Sequence, residues 1–85
     1  MEKIIICAVF DKKANEFQAP FGQANKVTAC RGFMLACKDE NNLFAKFPED
    51  YCLYKLGVMD VKSGEFKNEK ELLLEAANVT QTVTK

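Results

Sequence analysis

The 85-residue chain contains no histidine and no net charge, and it has only two prolines and four scattered glycines. Without histidine it lacks the usual general base at neutral pH and the commonest metal ligand. Its four cysteines, Cys7, Cys30, Cys37 and Cys52, form no C-x-x-C pair. Zinc sites bring such closely spaced pairs, so neither a metal nor another cofactor is expected. Each cysteine lies in an apolar run, where a free thiol behaves as a small buried hydrophobe. Gly22, Gly32, Gly57 and Gly64 make no phosphate-binding loop. No serine or cysteine nucleophile can be matched to a histidine, so no enzymatic activity is expected. Glu49 and Asp50 are adjacent carboxylates in a loop after Pro48, which suits turn and cap roles better than acid–base work. No signal peptide is expected at the N-terminus, and the apolar run Ile4 to Phe10 is too short for a spanning helix. With the cysteines left reduced, this predicts a soluble intracellular protein.

Apolar residues make up 48% of the chain, including seven phenylalanines, which suffices for one folded core. A neutral chain does not coat nucleic acid by bulk attraction. The distribution is uneven, however. Residues 1–38 hold six cations against three anions, and residues 39–85 hold six against nine.

The segment Val9-Phe10-Asp11-Lys12-Lys13-Ala14-Asn15-Glu16-Phe17 recurs 49 residues later as Val58-Met59-Asp60-Val61-Lys62-Ser63-Gly64-Glu65-Phe66, with five of nine positions identical. Asp opens a turn with its side chain, and Asn or Gly closes it at positive φ, so both copies read as β-hairpins. Lys3 to Phe10 reads as a central strand. Glu16 to Gln23 returns along it, limited to an edge by Pro20. Asn25 caps a helix to about Lys38, with Val27, Cys30, Met34 and Cys37 as its apolar stripe and Phe33 beside it. Lys26 and Arg31 lie off that stripe and should be exposed. Leu43 to Phe47 makes a short helical turn stopped by Pro48. Tyr51 to Asp60 is the third strand, with Lys55 and Gly57 on one side and Cys52, Tyr54, Leu56 and Val58 on the other. A short fourth strand spans Glu65 to Lys67. Asn68 and Glu71 then form a capping box for a helix through Leu72, Leu73, Leu74 and Ala77. The expected fold is a small single α+β domain over residues 1–78: an antiparallel sheet of two hairpins with helices between and after, in the order ββααββα. Residues 79–85 are expected as a frayed tail or a short strand.

The functional signal is basic and aromatic. Lys12 and Lys13 occupy the first hairpin tip. Phe17 and Phe21 share one face of the return strand if no bulge intervenes, and Lys26 and Arg31 come from the helix. Aromatic platforms flanked by cations hold single strands, so these six residues are the candidate nucleic-acid site. The same phenylalanines would serve equally as a core face.

The pattern of strand, Asp-x-Lys-Ala turn, strand, Pro-Phe, helix, then Phe-Pro-Glu-Asp-Tyr-x-Leu-Tyr-x-Leu-Gly and a Gly-Glu turn resembles the small nonstructural protein of gokushovirus-type microviruses. The residues carrying it are Phe10, Asp11, Lys13, Ala14, Pro20, Phe21, Asn25, Arg31, Phe33, Asn42, Phe44, Lys46, Pro48, Glu49, Asp50, Tyr51, Leu53, Tyr54, Gly57, Asp60, Gly64 and Glu65. They cover roughly two-thirds of the chain. Pro48-Glu49-Asp50-Tyr51 is the most specific block, and the tail beyond Lys67 matches nothing in the pattern. The resemblance implies a non-capsid protein of a single-stranded DNA bacteriophage, working in the host bacterial cytoplasm in viral DNA synthesis, at the switch from double-stranded replication to single-stranded genome production. The leading expectation is a non-enzymatic homodimer that binds single-stranded DNA during replication or packaging. The alternative is a protein–protein adaptor contacting the viral replication initiator, a capsid precursor or a host factor, using the acidic segment Pro48–Tyr51 and the C-terminal helix.

Overall fold

The computed structural model describes residues 2–83, with side chains to residue 79. Among these residues, five strands and three helices follow one another as β1 (Lys3–Asp11), β2 (Glu16–Phe17), β3 (Phe21–Gln23), α1 (Lys26–Lys38), α2 (Leu43–Lys46), β4 (Tyr51–Asp60), β5 (Phe66–Glu75) and α3 (Ala76–Val83), with a 3-10 turn over Pro48–Asp50. The expected α+β fold of two hairpins is therefore present, as one antiparallel sheet. Its strand order is β2-β1-β4-β5, and β3 continues the edge beside β1.

Both turns use the chemistry that the repeat predicts. Asp11 Oδ1 accepts from Ala14 N at 3.1 Å, and Asp60 Oδ1 accepts from Lys62 N at 2.9 Å and Ser63 N at 3.2 Å. Asn15 (φ 60°) and Gly64 (φ 80°) supply the left-handed residue that closes each turn. Their N–H groups donate to the Asp11 and Asp60 carbonyls, both at 2.7 Å. Helix α1 begins where expected, with Asn25 Oδ1 accepting from Thr28 N at 2.9 Å.

The helices cover one face of the sheet. Ile5, Cys7 and Val9 of β1 and Tyr51 and Leu53 of β4 pack against Ala29, Phe33 and Cys37 of α1 and Ala76 and Val79 of α3. Phe44 bridges Phe33 and Tyr51, with ring centroids 5.3 and 4.9 Å apart. The buried stripe of α1 is thus Ala29-Phe33-Cys37. Cys37 and Phe33 are buried as expected, but the rest of the expected stripe is rotated away: Val27 is 67% exposed, and Cys30 and Met34 are half-buried. Successive i, i+4 steps from the small Ala29 let the helix approach the sheet closely, which sets the rotation.

The largest departure from expectation is β5. Asn68 does not cap a helix: Phe66 to Glu75 is a ten-residue strand paired along β4 from Met59↔Phe66 to Cys52↔Glu75. Glu-Leu-Leu-Leu-Glu favours helix locally. The strand wins because β4 offers a pairing edge, and the residues alternate usefully on it. Lys67, Glu69 and Glu71 face one way, towards Lys55, and Phe66, Lys70 and Leu72 face the other. Helix therefore begins only at Ala76 and runs to Val83, across most of the expected tail. Val79 is part of the core. Residues 84 and 85, the end of that expected tail, lie outside the described residues.

A bulge changes the faces of β4. Ile6 pairs with Gly57 and Cys7 with Lys55, so Leu56 is the extra residue. Gly57 consequently shares a face with Tyr54, while Lys55 and Val58 turn to the helices. This corrects the expected alternation, which grouped Lys55 with Gly57.

Candidate functional site

The thinnest dimension of the molecule is 19 Å, about the depth of one sheet and one helix layer. Among the described residues, the opposite face of the sheet therefore carries no third layer. Register places Ile4, Ile6, Ala8 and Phe10 of β1 there, with Cys52, Tyr54, Gly57 and Met59 of β4. Phe17 joins from β2, and Phe66, Asn68 and Leu72 from β5.

At the end of this open face nearest the first hairpin, three aromatic rings meet. Phe10 lies 4.8 Å from Phe17 and 6.1 Å from Tyr54, and Phe17 lies 5.5 Å from Tyr54, measured between centroids. Lys70 Nζ sits over Phe17 at 5.4 Å and Tyr54 at 5.3 Å. This is a cation–π arrangement. Lys12 reaches to Glu75 at 2.8 Å on the same rim. That hydrogen bond raises the Lys12 ammonium pKa above its ordinary value, against the lowering effect of desolvation. Phe10 and Tyr54 stand on the two central strands, β1 and β4, so the sheet itself fixes their spacing.

The expected site residues divide between the two faces. Phe17 and Lys12 belong to the open face, and Lys13 lies exposed in the adjoining turn. Phe21 does not join them. Phe10 pairs with Phe17 but Cys7 pairs with Phe21, so the return strand holds one more residue than β1 across this interval. That bulge, at the break before Pro20, turns Phe21 to the helix side. There Phe21 lines an apolar cavity of about 280 Å³ with Val9, Gln23, Ala29, Gly32, Phe33, Ala36 and Phe44. Lys26 and Arg31 also belong to α1, on the helix side, and Lys26 pairs with Glu71 at 3.0 Å. Sequence reasoning misses Phe10, Tyr54 and Lys70. The helix expected around Lys70 hides it, and Tyr54 reads as one side of an ordinary strand.

A second charged cluster lies on the helix face. Lys55 is 7% exposed, and its ammonium meets Glu69 at 3.1 Å and Glu71 at 3.5 Å. The bond from Lys55 lowers the pKa of Glu69, and the bond from Lys26, above all, lowers that of Glu71. Both carboxylates therefore stabilise the fold fully above their ordinary value of 4.5, and lose that contribution as pH falls through the lowered values. Circular dichroism followed from pH 7 downward should show falling thermal stability only below about pH 5. A Glu69→Gln/Glu71→Gln variant should start less stable at neutral pH and show a flatter acid limb, because Lys55 has lost both partners.

Burial raises the pKa of all four thiols, that of Cys37 to about 11, which disfavours the reactive thiolate. Among the described residues, no three His, Cys, Asp or Glu side chains are grouped to hold a metal ion. No helix of the described residues is long and apolar enough to cross a membrane. Pro48–Asp50 forms a 3-10 turn with Glu49 exposed, whereas Tyr51 is buried in the core and does not extend that acidic surface.

Fold and site together define a small two-layer α+β protein whose uncovered sheet face presents aromatic rings beside lysines. The family model for the phage ORF5 protein matches residues 4–79, nearly the whole chain. The protein belongs to that family and is a phage protein. No curated protein and no solved structure matches the chain significantly.

Proposed function

We propose that this is a non-enzymatic phage accessory protein that binds single-stranded DNA on the open sheet face. The cluster of Phe10, Phe17 and Tyr54 with Lys70 carries the reading. Rings on two neighbouring central strands of an antiparallel sheet, backed by helices, are an arrangement on which unpaired bases stack. Phe17 is 37% exposed and offers the accessible ring. Lys13 and Lys70 supply cations at the rim for phosphates, with Lys12 beside them paired to Glu75. Duplex DNA hides its base faces, so a ring platform favours single strands. The resemblance to the nonstructural protein of gokushovirus-type microviruses supports a role in viral single-stranded DNA replication or packaging, in the host cytoplasm.

Titration of a labelled oligothymidine by fluorescence anisotropy tests the reading. Binding should weaken as salt rises, with a shallow slope suited to few phosphate contacts. Phe17→Ala should lose about tenfold or more in affinity, the size of one stacked base. Lys70→Ala should weaken binding and reduce the salt slope by about 1. Phe21→Ala, altered on the opposite side of the sheet, should bind as the parent does. Absence of binding at low salt and tens of micromolar protein would overturn the proposal. The neutral chain, with Lys12 held by Glu75, then favours the adaptor reading, in which a viral or host protein is contacted without DNA.

A further inference from the structure

We infer that two copies of this chain join along β5, edge to edge and antiparallel, into one continuous sheet. The two edges of the sheet differ sharply. On the β1 side the edge consists of β2 and β3, two and three residues long, interrupted by Pro20. Short strands, a bulge and a proline are the usual protection against strand addition. On the other side, β5 runs ten residues with no proline or glycine, is interrupted by a bulge at Leu73 beyond the Phe66–Leu72 stretch, and among the described residues pairs only with β4. Half of its backbone donors and acceptors therefore point outward along the edge.

Charged residues on an edge normally deter pairing, but here the helix-side row Lys67, Glu69, Glu71 carries opposite charges at its two ends. A two-fold axis through Glu69 sets Lys67 against Glu71 of the second copy, twice. On the open face, the same register sets Phe66 against Leu72, twice. These two side chains are 48% and 46% exposed, the large apolar residues that β5 leaves uncovered. Glu69 then meets its own copy, and each is neutralised by Lys55 at 3.1 Å and Lys67 at 3.5 Å. Pairs of the same parity keep both helix layers on one side, so the two open faces merge into one surface. Cross-strand opposite charges and apolar pairs are what fixes register in antiparallel sheets. The β5 edge would join the two copies whether or not the open face binds DNA.

Sedimentation velocity on the full chain at about 100 micromolar should give roughly twice the 9.6 kDa chain mass. Lys67→Glu would place like charges opposite one another at two sites. Lys67 is well exposed, so the variant should fold and yet dimerise about tenfold or more weakly. Glu69→Cys should cross-link under copper-phenanthroline oxidation, because Cα atoms opposed in an antiparallel pair lie about 4.5 to 5.5 Å apart, within disulfide reach. The parent chain and a Lys13→Cys variant, at the far end of the sheet, should not cross-link. A monomeric parent overturns the inference. A dimer that Lys67→Glu leaves intact, or that Glu69→Cys fails to cross-link, overturns it equally, since the interface then lies elsewhere.

Discussion

Gly57→Ala is expected to cost the domain about 3 kcal/mol or more, at the upper end of what overpacking does. A Cβ at this position would collide with the Lys67 carbonyl oxygen and with the ring of Phe66. The first is backbone and cannot move without separating β5 from β4, and the second reaches across Gly57 from the neighbouring strand. Both neighbours would have to shift together at the bulge around Leu56. A domain of this length has a total stability of about 4–13 kcal/mol, so the variant should lose a large part of its native population. Urea denaturation should show a lower midpoint with an unchanged slope, because the surface exposed on unfolding stays the same. A Gly57→Ala variant with the midpoint of the parent would mean that Phe66 does not cover this position. The consequence reaches the open face, since Gly57, Phe66 and Asn68 together form its β5 end.

Leu53→Ala should be comparably damaging, by about 2–5 kcal/mol. Leu53 is fully buried on β4, paired with Val9 on one side and Leu74 on the other. It therefore stands at the centre of the sheet, beneath the helix layer. The surrounding groups come from several different elements and cannot collapse together into the space left. At about 4–8 °C for each kcal/mol in a domain of this size, the melting temperature should fall by roughly 10 °C at least. A drop of less than about 4 °C would show that the site relaxes. Phe17→Ala, by contrast, removes a partly exposed ring on the opposite face and should act mainly on binding. The contrast between these two variants separates loss of fold from loss of site.

Much of the chain declares itself locally. Asp11 and Asn15, and Asp60 and Gly64, make the turns that their side chains and φ preferences call for. Asn25 caps α1, and Tyr51 to Asp60 forms the strand that its apolar content suggests. These features need only neighbours within a few residues, or a run of one residue class. Failures concentrate where a distant partner decides. Phe66 to Glu75 has the composition of a helix and is a strand because β4 lies beside it. The facing of Tyr54, Gly57 and Phe21 depends on single inserted residues at Leu56 and in the segment before Pro20. Nothing in the composition marks a bulge, and one inserted residue reverses every side chain beyond it.

The candidate site divides in the same way. Lys12 and Phe17 can be chosen from sequence because a hairpin tip and its flanking aromatic are near neighbours. Phe10 and Tyr54 cannot be joined to each other that way, being far apart in the chain and linked only by the β1–β4 pairing. Lys70 belongs with them only once β5 is a strand. The sequence alone thus determined the two hairpins, the helix between them and the lack of histidine among the candidate site residues, because each is a matter of local geometry or residue inventory. Tertiary structure decided which face every aromatic occupies and which lysines accompany them. Those depend on strand register, and register is set by packing between segments that the chain keeps far apart.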